Sequence, residues 1–296
     1  WDGVDPLFAL VDRWRAEHDG RPVVWLWRCD PQVAVAHGDP GWALTRWADR
    51  IAADLARGDR AGIHTHLWRW SEPLGTFVHD AANLDWRREC VERSAAAYTR
   101  VVGTAPTLAQ MGDTHMDATI LRTYVDLGIT IDLTVEPGAA AKPTMVLTEF
   151  VTGTMPDRTR SPRVPYRPRP SDPLRAARRS PAPVAMLPLT TSTEPLVIDG
   201  VVVDPTGTSA NLGMEPRRFQ HVVRTGLAAS ARAGFPYVHV LVRSDVGIHP
   251  EQAGHTARNL EWLAQGLRGL ADPWGGVRFT TPDDVLTAAL GRAPDG

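Results

Sequence analysis

Apolar residues along this chain recur in two alternating rhythms. Short continuous apolar runs read as buried strands, and stretches with apolar positions three and four apart read as amphipathic helices. Leu7, Leu10, Val11 and Trp14 fall on one helical face, with Asp5 and Pro6 expected as N-cap and first helical residue. PVVWLWRCD (Pro22–Asp30) predicts a buried strand, and Asp39 and Pro40 open a predicted helix with Leu44, Trp47, Ile51 and Leu55 on one face. AGIHTH (Ala61–His66) is the next strand, followed by a helix over about Trp86–Tyr98. PTLAQMGD (Pro106–Asp113) leads to Asp117, an N-cap before Ile120, Leu121 and Tyr124, and ITIDLTVEPG (Ile129–Gly138) predicts a further strand.

From Ala139 to Pro183 the rhythm breaks into a segment rich in Pro, Arg, Ser and Thr. Such a stretch is expected to be a loop excursion, a lid or a binding loop. Val184–Ser192 resumes the strands, and Leu196–Asp204 predicts a hairpin turning at Asp199-Gly200. A helix over Pro216–Arg232, a strand Tyr237–Asp245, a helix to about Leu270, a strand GVRFTT and a last helix from Pro282 complete the pattern.

Alternating strands and helices predict an α/β fold with a parallel sheet. The absence of Gly-x-Gly-x-x-Gly after an early strand, and of a phosphate-loop pattern, counts against a nucleotide-binding sheet. Polar residues collect where strands end: Asp30, His64 and His66, Asp113, Glu136, Thr190 and Thr191, Arg243 and Asp245. A βα-barrel builds its site at that edge. The expectation is therefore one (β/α)-barrel-like domain over 1–296 with the Pro/Arg-rich excursion at about 139–183.

Composition narrows the partners. The chain has 296 residues, 43% hydrophobic and 22% charged, with a formal net charge of -2, which counts against a nucleic-acid partner held by bulk electrostatics. Lys142 is the only lysine, which reads as a codon bias rather than a binding signature. No apolar run reaches the roughly 20 residues of a membrane-spanning helix. Cys29 and Cys90 are too few for a disulfide scaffold or a cysteine-rich zinc site. The compartment stays open, with a soluble, cytoplasmic protein favoured, and oligomeric state is undetermined.

The candidate chemistry begins at RAGIHTHLWRW (Arg60–Trp70). Strand residues two apart point the same way, so His64 and His66 can grip one metal ion, or one can pack on Trp68 or Trp70 while the other faces water. Asp30 is either a ligand or base beside them or, ahead of Pro31, the cap of a turn. Asp113 can orient a histidine or bind sugar hydroxyls, or be a plain loop residue. His115 reads as a surface residue and Glu136 as structural. Arg243 and Asp245 form either a substrate-facing pair or a structural ion pair. Tyr166 and Asp172 can close over a substrate from the Pro/Arg-rich segment. Trp14, Trp25, Trp27 and Trp47 read as packing, whereas Trp68 and Trp70 offer flat apolar faces to a sugar.

GIHTHLWRW resembles the second motif of the NodB-homology polysaccharide deacetylases, with His64 and Thr65 at its start and Trp68 where a second histidine is expected. VVWLWRCDPQV with HGDPGWAL, Ala109–Gly138, PYRPRPSDP and MLPLTTS are similar to other landmarks of a diverged bacterial branch, in which a His-x-His pair is usual. The resemblance implies a distorted (β/α) barrel and a divalent metal, zinc by preference, that activates water to remove an acetyl group from a sugar. It places Asp2 of WDG on a ligand position and Trp1 on that of the base, with the first strand missing upstream. It also places Gln110 near an expected arginine, and Arg243 and Ser244 where the acid histidine belongs. Asp30, Asp113 and Arg243 are then the substitutes for catalysis, Asp2, His64 and His66 the metal set, and Trp68, Trp70, Tyr166 and Asp245 the substrate contacts.

The leading expectation is a metal-dependent hydrolase acting on an acetylated carbohydrate or small molecule. The alternatives are a catalytically eroded barrel that binds glycan or protein, and a natural-product enzyme with changed chemistry.

Overall fold

A computed structural model describes residues 1–143, 153–244, 249–271 and 276–291. Asp245, with the end of its predicted strand, and residues 144–152 of the Pro/Arg-rich segment lie outside the described residues. The chain forms two compact units, the first comprising Trp1–Pro22, Glu136–Gly138 and Leu189–Thr280, the second Val23–Val135, Ala139–Pro188 and Thr281–Gly296.

The first unit opens with α1 (Val4–Glu17), which buries Leu7, Leu10, Val11 and Trp14 as the spacing predicts. Its N-cap position falls on Gly3 rather than Asp5, so Asp5 sits in the first turn, where a carboxylate favours the helix dipole without capping it.

The second unit is built on a parallel sheet. Its first strand is β1 (Val24–Arg28), and Asp30 then caps a short helix α2 (Pro31–His37). The helix expected after Asp39 is two, α3 (Trp42–Arg46) and α4 (Ala48–Ala56), interrupted at Trp47, whose φ of -114° and ψ of 27° leave the helical region. There follow β2 (Arg60–Thr65), an antiparallel hairpin β3 (Trp68–Ser71) and β4 (Thr76–His79), and α5 (Leu84–Val102). Next come β5 (Leu108–Met111), α6 (Ala118–Asp126), with Asp117 capping it through Ile120 N–H as expected, and β6 (Ile131–Asp132). Between 139 and 183 the described residues form small antiparallel pairs: β7 (Lys142–Pro143) with β8 (Thr154–Met155), and β9 (Pro168–Arg169) with β10 (Asp172–Ala176). β11 (Ala185–Met186) returns to the main sheet.

The sheet order is β1-β2-β5-β6-β11, every pair parallel, each strand added to the same edge in chain order. Leu108, Ile131, Leu133 and Leu187 form one apolar cluster against it, with Val24, Leu26, Val285 and Leu286. Helices α3, α4 and α5 pack on β1 and β2, and Leu44, Ile51, Ile63, Cys90 and Val91 are buried. Cys29 and Cys90 are buried free thiols. Register places Arg28, His64 and Gln110 in one row across three adjacent strands.

The first unit resumes with the predicted hairpin, β12 (Leu196–Ile198) and β13 (Val201–Asp204). Asp199 and Gly200 both take positive φ, 51° and 78°, as a two-residue turn of matching twist requires. α7 (Pro216–Arg232) and α8 (Pro250–Ala271) pack with α1 around Leu10, Trp14, Phe219, Val222, Val223 and Leu263. Tyr237–Val242, predicted as a strand, makes only scattered pairing: His239 exchanges bonds with Thr190, and Leu241 bridges Asn211. GVRFTT, predicted as a strand, forms none, and its Val277 and Phe279 pack on the same core. The last helix, α9 (Pro282–Leu290), belongs to the second unit and is capped by Thr281. Among the described residues no helix is long and apolar enough to cross a membrane.

Candidate functional site

The C-terminal edge of β1, β2 and β5 gathers the polar side chains of the second unit. Alternation along β2 and just past its end turns His64 and His66 to the same side, and their Nε2 atoms lie 3.0 Å apart. Each imidazole is held from behind by a different group. His64 Nδ1 lies 3.0 Å from Gln110 Oε1, its register partner on β5. Gln110 Nε2 donates to the Leu133 carbonyl at 3.1 Å, which fixes the amide orientation and leaves Oε1 as the acceptor of the His64 Nδ1 proton. His66 Nδ1 lies 3.2 Å from Asp113 Oδ2.

Asp113 is ionised. Burial pushes its carboxyl up, but bonding and charge from His66 and His79 outweigh that and hold it well below the usual carboxylate range. An ionised acceptor takes the Nδ1 proton of His66. Both Nδ1 atoms thus have acceptors behind them, and the two Nε2 atoms face each other at hydrogen-bond distance, where one shared proton satisfies both. His64 is kept neutral by burial first, then by the nearby charges of His66 and Arg28, which together bring its pKa down to about 3.

Geometry at Asp113 is unusual. Asp113 and Thr114 have φ of 55° and 56°, a left-handed conformation that non-glycine residues adopt at a cost. The Arg158 guanidinium, buried, donates to the Thr114 carbonyl at 2.7 Å and to its hydroxyl. Gly112 lies flat under the His66 ring, where an added Cβ would meet ring carbons at 2.5 Å.

Asp30, expected as ligand or base, is fully buried and serves as a support. Its Oδ1 accepts from Gln32 N and Val33 N, capping α2, and its Oδ2 accepts from Arg28 Nε and His66 N. Both oxygens are committed to N–H donors, which corrects the catalytic assignment. Trp68 turns its Nε1–H to Asp113 Oδ2 at 3.0 Å, so its polar edge is part of the site's frame. Trp70 stays 37% exposed and makes an edge contact with Phe77, leaving it free to meet a ligand. Tyr166, expected to close over a substrate, is buried, with its hydroxyl donating to the Pro173 carbonyl. His115, expected at the surface, is also buried, and burial lowers its pKa. Asp2 and Arg243 belong to the first unit and are exposed there.

Sequence reasoning missed the roles of Gln110, Gly112 and His79. His79, on β4, lies directly opposite Trp68 in the hairpin and is 1% exposed. The signal for it was the alternation Trp68-x-Trp70 and Phe77-x-His79 around a Pro-Leu-Gly turn, which reads as a hairpin. Among the described residues, the three-donor cluster compact enough for one metal ion is Glu17, His18 and Glu261 of the first unit, partly exposed at the surface. His64 and His66 supply two donors.

No family model matches the chain, and no curated protein matches it in sequence. Solved structures do share its fold. A probable polysaccharide deacetylase from Pseudomonas aeruginosa PAO1 matches with a TM-score of 0.50 at 14% identity, covering 98% of this chain and 74% of that one. Puue allantoinase matches with a TM-score of 0.50 at 15% identity over the same shares. A putative polysaccharide deacetylase from Mycobacterium smegmatis gives 0.47 at 16% identity, covering 94% and 80%. The chain thus has a mixed α/β fold with a parallel sheet, of the kind found in polysaccharide deacetylases and allantoinase.

Proposed function

We propose that this protein is a metal-dependent hydrolase of the carbohydrate deacetylase kind, built on a distorted (β/α) barrel and removing an acetyl group from a sugar or a related small molecule. One observation carries the reading: two imidazole Nε2 atoms face each other at 3.0 Å on one side of the sheet edge, each ring held at Nδ1 by an oxygen acceptor. Two nitrogens on one tetrahedral zinc ion stand about 3.3 Å apart from standard bond lengths, so a slight spreading of the rings admits the ion. The fold shared with a probable deacetylase and an allantoinase supports it at the level of fold.

In this reading His64 and His66 hold a divalent ion, zinc by preference, with Gln110 and Asp113 fixing their tautomers from behind. The ion, when bound, supplies Lewis acidity and a water of lowered pKa. The exposed face of Trp70 receives the apolar side of a sugar ring.

A second reading has one observation in its favour. Asp30 and Asp113, the substitutes expected to move protons, both hold structural donors. A pocket that binds an acetylated glycan without turnover follows from that arrangement.

Elemental analysis of the purified protein and of the His64→Ala, His66→Ala double variant tests the metal. Acetate release from acetylated oligosaccharides then separates the two readings. Near one equivalent of metal lost in the variant, with acetate released only by the wild type, is the expected result. No metal after reconstitution overturns the hydrolase reading, and metal without acetate release moves the case to the binding pocket.

A further inference from the structure

A third imidazole reaches the same carboxylate from a different element. His79 Nε2 approaches Asp113 Oδ2 at 3.3 Å, and that single oxygen also takes Trp68 Nε1–H at 3.0 Å and His66 Nδ1 at 3.2 Å. Trp68 and His79 are register partners, so one turn of chain delivers both contacts from the β3–β4 hairpin. The His79 ring makes an edge contact with Trp68 at 5.4 Å between centroids, and both of its ring nitrogens are buried without a well-formed hydrogen bond, Nε2 touching Asp113 only as a 3.3 Å approach. A buried imidazole without a well-formed hydrogen bond is a costly way to fill space, and a leucine would fill it without that cost. Its presence calls for something that Nε2, the nitrogen beside Asp113, does.

What that nitrogen faces is a carboxylate that needs holding. The Asp113 side chain is 37% exposed, and its backbone sits in the left-handed region. Left alone, such a carboxylate turns outward to water and releases His66. With Trp68 Nε1–H bonded to Oδ2 and His79 Nε2 packed 3.3 Å from it, both from one hairpin, the oxygen stays where it accepts from His66 Nδ1.

We propose that His79 is a positioning residue of the His64–His66 pocket: it pins Asp113, which in turn keeps a proton on His66 Nδ1 and its Nε2 turned to His64. This rests on the metal reading above for its consequence, but its first step is a statement about the His66 tautomer and stands apart from any metal.

The test uses the full chain with His79→Leu, which keeps bulk without a donor, and His79→Gln, which restores one. His79→Asn, polar but too short to reach Asp113, is measured alongside in case the leucine variant does not fold. Long-range nitrogen–proton NMR on the metal-free protein reads the His66 tautomer, and competition with a chelating dye reads zinc affinity. The wild type should show His66 protonated at Nδ1 alone. His79→Leu and His79→Asn should show a mixture of tautomers and zinc affinity about 10- to 100-fold weaker, the range for losing an outer partner of a metal-bound histidine. His79→Gln should recover most of both. An unchanged tautomer and affinity in His79→Leu overturns the proposal. If the wild type takes up no zinc, the metal reading fails, while the tautomer comparison still decides the role of His79.

Discussion

His64 and His66 face each other Nε2 to Nε2 at 3.0 Å, and neither nitrogen holds a proton assigned by its surroundings. Gln110 accepts the Nδ1 proton of the first, and ionised Asp113 that of the second. A shared proton satisfies the two nitrogens, and in the function proposed above a metal ion takes that place, between groups contributed by β2, β5 and the turn after β5.

Gly112 is the closest steric limit on that site. A Cβ at this position would meet the His66 ring at 2.5 Å, and the ring has to move because the contact is with its own carbons. Gly112→Ala should therefore displace His66 and weaken zinc binding at least tenfold, on the scale of lost ligand orientation. Far-UV circular dichroism should stay unchanged. Equal zinc affinity in the variant would show that the ring does not lie where the pocket needs it.

Gln110 controls the other ring. Gln110→Leu removes the acceptor of His64 Nδ1–H and the donor to the Leu133 carbonyl, and should cost about 10- to 100-fold in zinc affinity. Gln110→Glu replaces a neutral acceptor by a charged one, which raises the His64 pKa above its present value of about 3. An NMR pH titration of the metal-free variants reads this directly. A His64 pKa that does not rise in Gln110→Glu would mean that the two side chains do not touch.

These positions show how far the sequence could be read. The parallel sheet, the Asp117 cap, the Asp199-Gly200 turn and the shared side of His64 and His66 follow from local rules of periodicity and capping, and they are where expected. Gln110 was visible only as the place where the resemblance expects an arginine, because a tautomer-setting bond depends on register between strands 46 residues apart. Asp30-Pro31 carries an N-cap signal, yet nothing local says that its second oxygen also holds His66 N–H. Tyr166 lies in a segment whose Pro and Arg content suggests exposure, but bridging to Met186 at the end of the sheet buries it. Tertiary pairing, invisible in composition, decides these cases.

Asp30 offers a clean separation of structure from chemistry. Four N–H groups depend on its carboxylate, and the residue is 0% exposed. Asp30→Ala leaves those donors without their acceptor and should lower unfolding free energy by about 2–4 kcal/mol. Urea denaturation measures it. Retained stability combined with lost activity would reverse the assignment and make Asp30 a participant in the reaction.

Asp132 ends β6 deep in the second unit, 0% exposed, with Thr134 donating to it from its hydroxyl at 2.6 Å and its amide at 2.9 Å. Burial dominates these bonds and raises its pKa to about 7. An unfolded chain carries this group with a pKa of about 3.9. Between those values the folded protein keeps a proton that the unfolded chain has released. The stability from this group is therefore fully present below about pH 4 and is lost as pH rises to about 7. Asp132→Asn replaces the protonated acid by a neutral amide of similar shape and removes that dependence. Unfolding free energies measured by denaturant at pH 5 and pH 8 should fall for the wild type more than for the variant. At pH 8 the variant should be the more stable of the two. Equal slopes in the two proteins would place the carboxylate in contact with water or with a cation, against the sealed environment that its neighbours Thr134 and Tyr124 give it.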